Sequence, residues 1–444
     1  MTKKEYGWRI GKEPPVIEPH SLTKHRVYEE YLLHYVRVLN TNPLIPNFQL
    51  TIVDGFAGGG AYFNPLENNI YSGSPIRMIK AVEAAEALVN ENRRQQNIEI
   101  PFRLNVDYFF VEKKATNYKY LTWYLENQGF FPRLGKDIST IQGEFTAILP
   151  KLLTKIASKS PKRRCIFLLD QYGYKDVPFP QIRKIFSRLP NAEIILTFAT
   201  DWLIDYMSET PEYRKTLQRI GMEDELNTQD LLEKKEDNQQ WRYLVQSHLH
   251  KIIPTLSNAK YYTPFFILSR ESNKSFWLVH LSNHPRAREV MTELHWQLKN
   301  HFSHYGGTGL QMFGYDPLKD GNLTGLRDLF TSSEFSFDEV AREQTLRGIV
   351  EDLPRIVFDD CSEGITVGNF YSKFANQTPA TTEHLREAIH LLSQSGELIV
   401  CGVKGERRRK PHSIRLDDII QINSQYIFDF GRRDLVDLRE KKGD

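Results

Sequence analysis

Three acidic residues stand at the ends of apolar runs. Asp54 follows Phe48 to Val53 (FQLTIV), Glu112 ends the run from Asp107 (DYFFVE), and Asp170 follows Ile166 to Leu169 (IFLL). A carboxylate at the end of a buried strand can hold a ligand's hydroxyls or a cation. Asp54 leads straight into Gly55, Phe56, Ala57, Gly58, Gly59 and Gly60, a turn with little side-chain bulk. Glycine lets the backbone approach a ligand closely and adopt positive φ. An acid in the position of Glu112 commonly binds the two ribose hydroxyls of an adenine nucleoside; its plainer reading is a solvated strand end. The chain has neither a GxxxxGK[ST] phosphate loop nor a GxGxxG turn, which argues against NTP hydrolysis and against NAD. An F-x-G-x-G turn after an acidic strand end fits S-adenosylmethionine (SAM) best.

These residues need elements to carry them. Val27, Tyr31, Leu32, Tyr35, Val36 and Leu39 recur at helical spacing, with Ser21 as the expected N-cap. The segment from Ala61 to Gly73 reads as a loop. Ser74-Pro75 then opens a helix bearing Ile76, Ile79, Val82 and Ala85, Ser as cap and Pro in the first turn. A helix through Tyr118, Leu121 and Tyr124, a short one from Ile182 to Leu189 and a strand from Glu193 (EIILTFA) continue the alternation. Apolar strands alternating with helices predict an α/β fold, a parallel sheet covered on both faces. Ligands of such sheets sit beyond the carboxyl ends of the strands, where all three acids fall.

A charged, helix-rich stretch near 201–254 reads as an insertion, and YYTPFFIL with SFWLVHLS as a late hairpin followed by a helix from Pro285 to about His301. Residues 303–335, rich in Gly and Asp, read as a connector. Beyond Ser336 three helices (from Phe337, from Thr366 and from Thr381 or Thr382) lead to ELIVCGVKGERRRKPHSIRL, two strands around a basic tip. That order suggests a winged helix-turn-helix. The expected division is therefore an extended arm over 1–20, an α/β domain over 21–302, the connector, and a winged-helix domain over 336–444.

Composition narrows the partners. Fifty-eight Lys and Arg against 56 Asp and Glu give a net charge of +2, so any binding of nucleic acid must rest on local clusters. Lys404, Arg407, Arg408, Arg409 and Lys410, with His412 and Arg415, form one at the tip of the expected wing and suit phosphate contacts. Lys162-Arg163-Arg164 precedes a buried strand and reads as a solvated turn. Cys165, Cys361 and Cys401 have no metal-ligand spacing, so no metal site is expected and Cys165 reads as inert. The charged N-terminus and the lack of an 18-residue apolar run lead to the expectation of a cytoplasmic protein that does not enter a membrane.

DGFAGGGAY, SGSPIRMIKA, FFVEKK and FLLDQYGY together resemble the three-Cys-motif partner proteins, as do FWLVHLSNHPRAREVM and the first helix with Lys24 and His25. The resemblance covers roughly residues 20–300, and the remainder resembles a winged-helix domain often appended to that family. It implies a Rossmann-like class I methyltransferase fold, SAM as cofactor, and a co-encoded partner with a three-cysteine motif that looks like a radical-SAM enzyme. In this frame Asp170-Gln171-Tyr172-Gly173 occupies the place of the catalytic motif. Base-amino methyltransferases carry Asp/Asn-Pro-Pro-aromatic there; Gln171 replaces the first proline, while Asp170 and an aromatic, Tyr172, remain. Tyr172 suits stacking on a base. Lys24 with Asp170 matches two members of the Lys-Asp-Lys-Glu set of 2′-O-ribose methyltransferases; a solvated helix lysine is the plainer reading. Gly143 and Glu144 are placed to flank an adenine ring. Asp54 and Glu112 lie farther apart than the roughly 20 residues of a compact nucleotide-binding unit, so no helix directly backs the glycine turn. The leading expectation is a SAM-dependent methyltransferase acting on nucleic acid. The alternative is a non-catalytic SAM-binding or partner module, which the altered Asp-Gln-Tyr-Gly motif favours.

Overall fold

The computed structural model describes residues 6–40, 42–160, 163–171, 175–226, 232, 241–269, 274–299, 301–303, 309–310, 334–361, 363–408 and 410–423. The chain forms two compact units, Met1–Gly306 with Phe313–Asp338, and Gly307–Met312 with Glu339–Asp444.

The first unit is built on seven strands: β1 (Asn47–Asp54), β4 (Arg103–Glu112), β5 (Ile138–Gln142), β6 (Arg164–Leu169), β7 (Ala192–Phe198), β8 (Tyr261–Ser269) and β9 (Lys274–Ser282). Their order is β5-β4-β1-β6-β7-β9-β8. β9 runs antiparallel to both of its neighbours and the other pairings are parallel. This is the Rossmann-like class I methyltransferase sheet that the resemblance implies. The chain winds from β1 outward through β4 and β5, then returns to the other side of β1 with β6. A crevice opens at such a reversal beyond the carboxyl ends. Asp54 is in register with Phe110 on one side and Leu168 on the other, so Glu112 and Asp170 project two residues farther along that edge.

Helices α1 (Pro19–Leu39), α2 (Ser74–Gln95) and α3 (Ala115–Leu125) contribute to one covering layer. α4 (Phe145–Lys159) and α5 (Phe179–Arg188) follow β5 and β6, and α6 (Thr200–Asp205), α7 (Pro211–Ile220), α8 (Trp241–Ser257) and α9 (Pro285–Gln297) follow later strands. One core joins Leu50, Ile52, Tyr108, Phe110, Ile166 and Leu168 of the sheet to Val27, Tyr31, Ile76, Leu121 and Leu294 of the helices. β1 is buried without interruption from Leu50 to Asp54, as a strand covered on both faces must be. No helix among the described residues is long and apolar enough to cross a membrane.

Several boundaries differ from those expected. α1 begins at Pro19 with Glu18 as its N-cap, and Ser21 lies inside the first turn; a proline's fixed φ suits that first position. The segment from Ala61 to Gly73 is no loop but a hairpin of β2 (Ala61–Asn64) and β3 (Asn69–Ser72), turned by Asn68 at φ 50°. The amino-terminal arm pairs with it: Phe63 N donates to Pro15 O and Ile17 N to Phe63 O, both at 2.9 Å. α9 stops at Gln297, and His301–Ser303 forms β10, paired with β11 (Glu334–Ser336).

The second unit holds α10 (Glu339–Asp360), α11 (Val367–Phe374), α12 (Thr382–Gln394) and strands β12 (Ile365–Thr366), β13 (Leu398–Cys401) and β14 (Ile419–Ile422), ordered β12-β14-β13. Thr381 caps α12 through its hydroxyl, which accepts from His384 N, and Gly396 takes a left-handed φ of 82° just past the helix end. The second wing strand starts at Ile419, later than expected. Pro411–Ser413 instead forms a single 3-10 turn, where proline lacks the N–H a ladder needs.

Candidate active site

Asp54 ends β1 and is 1% exposed. Its Oδ1 accepts from Phe56 N at 3.0 Å and its Oδ2 from the Ser74 hydroxyl at 2.6 Å. Ser74 therefore does not cap α2 as expected; Gly73 holds the N-cap position and the serine fastens the helix start to the strand end. Burial pushes the Asp54 carboxyl up to about 7, against the lowering effect of these two bonds, and the charges of Asp170 and Glu112 add to the rise.

The glycine turn is lashed to both neighbouring strands, Gly55 N donating to Leu168 O and Ala57 N to Val111 O, each at 2.9 Å. Gly58 and Gly60 have φ of 59° and 76°, values that only glycine adopts without strain. Gly58 N donates to Glu112 Oε2 at 3.0 Å, while Lys114 N and Asn117 Nδ2 donate to Oε1 at 2.8 and 3.3 Å. Glu112, at the end of β4, thus ties the turn to the start of α3. A carboxylate has about four acceptor positions, which leaves Glu112 one for a ligand hydroxyl. Gly143 N donates to Glu112 O at 3.0 Å. Glu144 is exposed at the N-cap of α4 and pairs with Lys113 at 3.1 Å; the hydrogen bond and charge of Lys113 hold its carboxyl below the usual range.

Asp170 opens the loop after β6. Lys24 of α1 is 6% exposed and donates to both Asp170 oxygens at 2.7 Å. Thr197 of β7 donates to Oδ1, also at 2.7 Å. Burial works to raise the Asp170 carboxyl, but the charge of Lys24 and the bonds from Lys24 and Thr197 outweigh it and hold the group below its ordinary value. The Asp170 side chain keeps 27% of its surface exposed, so a ligand can reach it. His25, next to Lys24, stacks on Tyr71 with ring centroids 5.8 Å apart. Burial, then the charge of Lys24, pushes His25 down to about 3, so its imidazole is neutral at physiological pH. Gln171 is buried, and its Oε1 accepts from Asp176 N and Val177 N, each at 2.9 Å. Among the described residues, His25 Nδ1 and Gln171 Nε2 have no hydrogen-bond partner. Tyr172 lies outside the described residues.

The structure thus brings together Lys24 with Asp170, and Asp54, the glycine turn and Glu112 along one sheet edge. Glu144 stands apart in its own exposed pair. Ser74 and Thr197 hold the acids, and neither role is legible in sequence, because each is a small hydroxyl meeting an acid 20 or more positions away. Among the described residues no three His, Cys, Asp or Glu side chains gather closely enough to hold a metal ion. Burial pushes the Cys165 thiol up to about 12, which leaves it unreactive.

In the wing, Lys404, Arg407 and Lys410 are exposed, and Arg409 lies outside the described residues. Arg408 is engaged by the protein itself. Its Nε and Nη2 donate to the two oxygens of Asp418 at 2.7 Å, and Asp418 also accepts from Arg415 N at 2.8 Å.

Residues 314–405 match the family model of a GMT-like winged helix-turn-helix domain. A search of the curated proteins found no match. Among solved structures, protein LPL1258 of Legionella pneumophila is 13% identical and aligns over 61% of this chain and 91% of its own, with a TM-score of 0.33. The METTL16 MTase domain is 9% identical over 57% of this chain and 66% of its own, with a TM-score of 0.26. PKMT2 from Rickettsia typhi is 10% identical over 91% of this chain and 96% of its own, with a TM-score of 0.28. Likenesses this low carry no argument about activity; the fold rests on the strand order, and the winged helix on the family match.

Proposed function

We propose that this chain is a SAM-dependent methyltransferase acting on nucleic acid and a member of the three-Cys-motif partner family. The observation that carries the reading is the Lys24–Asp170 pair, set at the reversal of a class I methyltransferase sheet beside Asp54, the glycine turn and Glu112. The residues suit the cofactor: its sulfonium and amino cations would meet an acid-rich edge, and its ribose the free acceptor position of Glu112. Bound SAM supplies an electrophilic methyl group. Asp54, Gly55, Phe56, Ala57, Gly58 and Gly60 would border its methionine part, with Gly143 and Glu144 toward the adenine.

Asp170 would receive the N–H or O–H of the acceptor. Because Lys24 and Thr197 keep its carboxyl ionised and weakly basic, its part is to bind and orient the acceptor rather than to remove a proton early. Orientation of this kind supplies much of the acceleration in a displacement reaction. Tyr172 would stack on the acceptor base. Lys404, Arg407 and Lys410 would contact phosphates, with Arg409 beside them and Arg408 shaping the wing.

A second reading, a partner module that binds SAM without catalysis, is favoured by Gln171, whose buried amide braces the following loop where base-amino methyltransferases carry proline. Calorimetric titration of the full chain with SAM, followed by methyl transfer from labelled SAM to mixed DNA and RNA, separates the two. Saturable binding with transfer that disappears in Asp170→Ala supports the enzyme. Saturable binding without transfer from the unaltered chain supports the module. The co-encoded partner is tested by adding the three-cysteine-motif protein to the same assay.

A further inference from the structure

We infer that Trp8 of the amino-terminal arm is the positioning residue of the glycine turn, holding its Gly58–Gly59 side while the start of α2 holds Gly60. The inference rests on the SAM reading for its functional consequence and on geometry for its existence. After Gly60 the chain enters the β2–β3 hairpin before α2 begins at Ser74, yet, against the expectation from spacing, the helix start meets the turn: its N-cap Gly73 N donates to Gly60 O at 2.8 Å. That leaves the Gly58–Gly59 side of the turn to be covered by another element. Trp8 stands there. It is 3% exposed, and its indole Nε1 donates to Ala61 O at 2.5 Å. A Cβ added at Gly59 would lie 2.2 Å from the indole, and one at Gly58 would lie 3.1 Å from it. The bare backbone at these two positions is therefore used by the arm.

A chain of polar contacts closes around the same turn. Trp8 N donates to Asn117 Oδ1 at 3.2 Å, Asn117 Nδ2 to Glu112 Oε1 at 3.3 Å, and Gly58 N to Glu112 Oε2 at 3.0 Å. Trp8 thus touches the turn directly and reaches, through Asn117, the acid assigned to the ribose. Pairing of the arm with Phe63 and the edge of Tyr62 against the indole, ring centroids 5.5 Å apart, keep the tryptophan in place. Moving the indole moves the Gly58 amide and, through it, the Glu112 carboxylate.

The test compares the full-length chain with Trp8→Phe, Trp8→Ala, Gly59→Ala and the Trp8→Ala/Gly59→Ala pair. S-adenosylhomocysteine affinity is read by calorimetry, amide hydrogen exchange of the peptide covering 55–61 by mass spectrometry, and melting temperature as a control. Expected are a loss of affinity on the order of 10- to 100-fold in Trp8→Ala and in Gly59→Ala, a smaller loss in Trp8→Phe, and faster exchange of the turn. The double variant should bind no worse than Gly59→Ala alone, since the clash goes with the indole. A purely structural tryptophan would lower the melting temperature and leave affinity and local exchange alone, which overturns the inference. If the unaltered chain binds no S-adenosylhomocysteine, the SAM reading fails; exchange of the turn then decides the positioning role by itself, and an unchanged rate in both Trp8→Phe and Gly59→Ala sinks it.

Discussion

Two aspartates, one in each unit, are gripped in nearly the same way. Lys24 reaches both oxygens of Asp170 at 2.7 Å, and Arg408 both oxygens of Asp418 at 2.7 Å. In both cases the partner outweighs burial and holds the carboxyl below its usual value. The difference lies in which member faces water. At the sheet edge the lysine is 8% exposed and the aspartate 27%; in the wing the aspartate is wholly buried and the arginine 14% exposed. A carboxylate kept charged and left reachable can act on a ligand. One sealed behind its arginine can only brace a loop. The same bond thus leaves a reachable carboxylate in one unit and a sealed fastening in the other.

The largest effect that sharpens this contrast is loss of methyl transfer. Asp170→Ala should reduce it about a thousandfold while SAM still binds, measured with labelled SAM at saturating cofactor; retained transfer would break the contrast at its functional end. Asp54 gives the next effect, through pH. Its carboxyl sits near 7, so its ionised fraction rises about tenfold between pH 6 and pH 8. Affinity for a cationic cofactor should rise by about as much over that range, and the slope should vanish in Asp54→Asn. Stability shifts the opposite way. A carboxyl raised in the folded state stabilises below its unfolded value of 3.8, and that contribution is lost as pH climbs through 7. Asp54→Asn should therefore gain melting temperature relative to the unaltered chain above pH 7, as a pair of thermal scans at pH 5 and pH 8 would register.

Changes in the wing should be milder and should separate contact from bracing. Replacing Lys404, Arg407 and Lys410 by alanine should lower the salt slope of duplex binding by about 2.7, three phosphates at roughly 0.9 each, in a fluorescence titration over sodium chloride. Asp418→Ala should lower the melting temperature of the second unit by on the order of 5 °C with little change in that slope. A slope that falls by about 0.9 in Arg408→Ala would make Arg408 a phosphate ligand after all.

How much of this was legible in the sequence follows from range. Asp54, Glu112 and Asp170 announce themselves because each closes a largely apolar stretch of strand, and the order of strands and helices follows from the same periodicity. Thr381 and Gly396 cap and stop α12 through contacts within a few residues. What escaped depends on distant pairs. Ser74 carries every local mark of an N-cap, yet its hydroxyl finds Asp54 across the fold. The β2–β3 hairpin has strands of four residues, too short for a period to emerge. Arg408 looks like its basic neighbours until Asp418 is placed opposite it.

The path of the chain between the units has a practical consequence. Gly309 O accepts from the Thr378 hydroxyl at 2.7 Å and Leu310 N donates to Asp352 at 3.3 Å, so this short segment belongs to the winged helix, whereas Glu334–Ser336 returns to pair beside α9's end in the first unit. The winged helix is not a bead that can be cut off at one link. A fragment beginning at Ser336 would leave its own Leu310 anchor behind, and a truncation ending before Gly307 would strip the first unit of the partner strand of β10. Gene dissection, limited proteolysis and domain swapping among relatives would each have to respect three crossings rather than one.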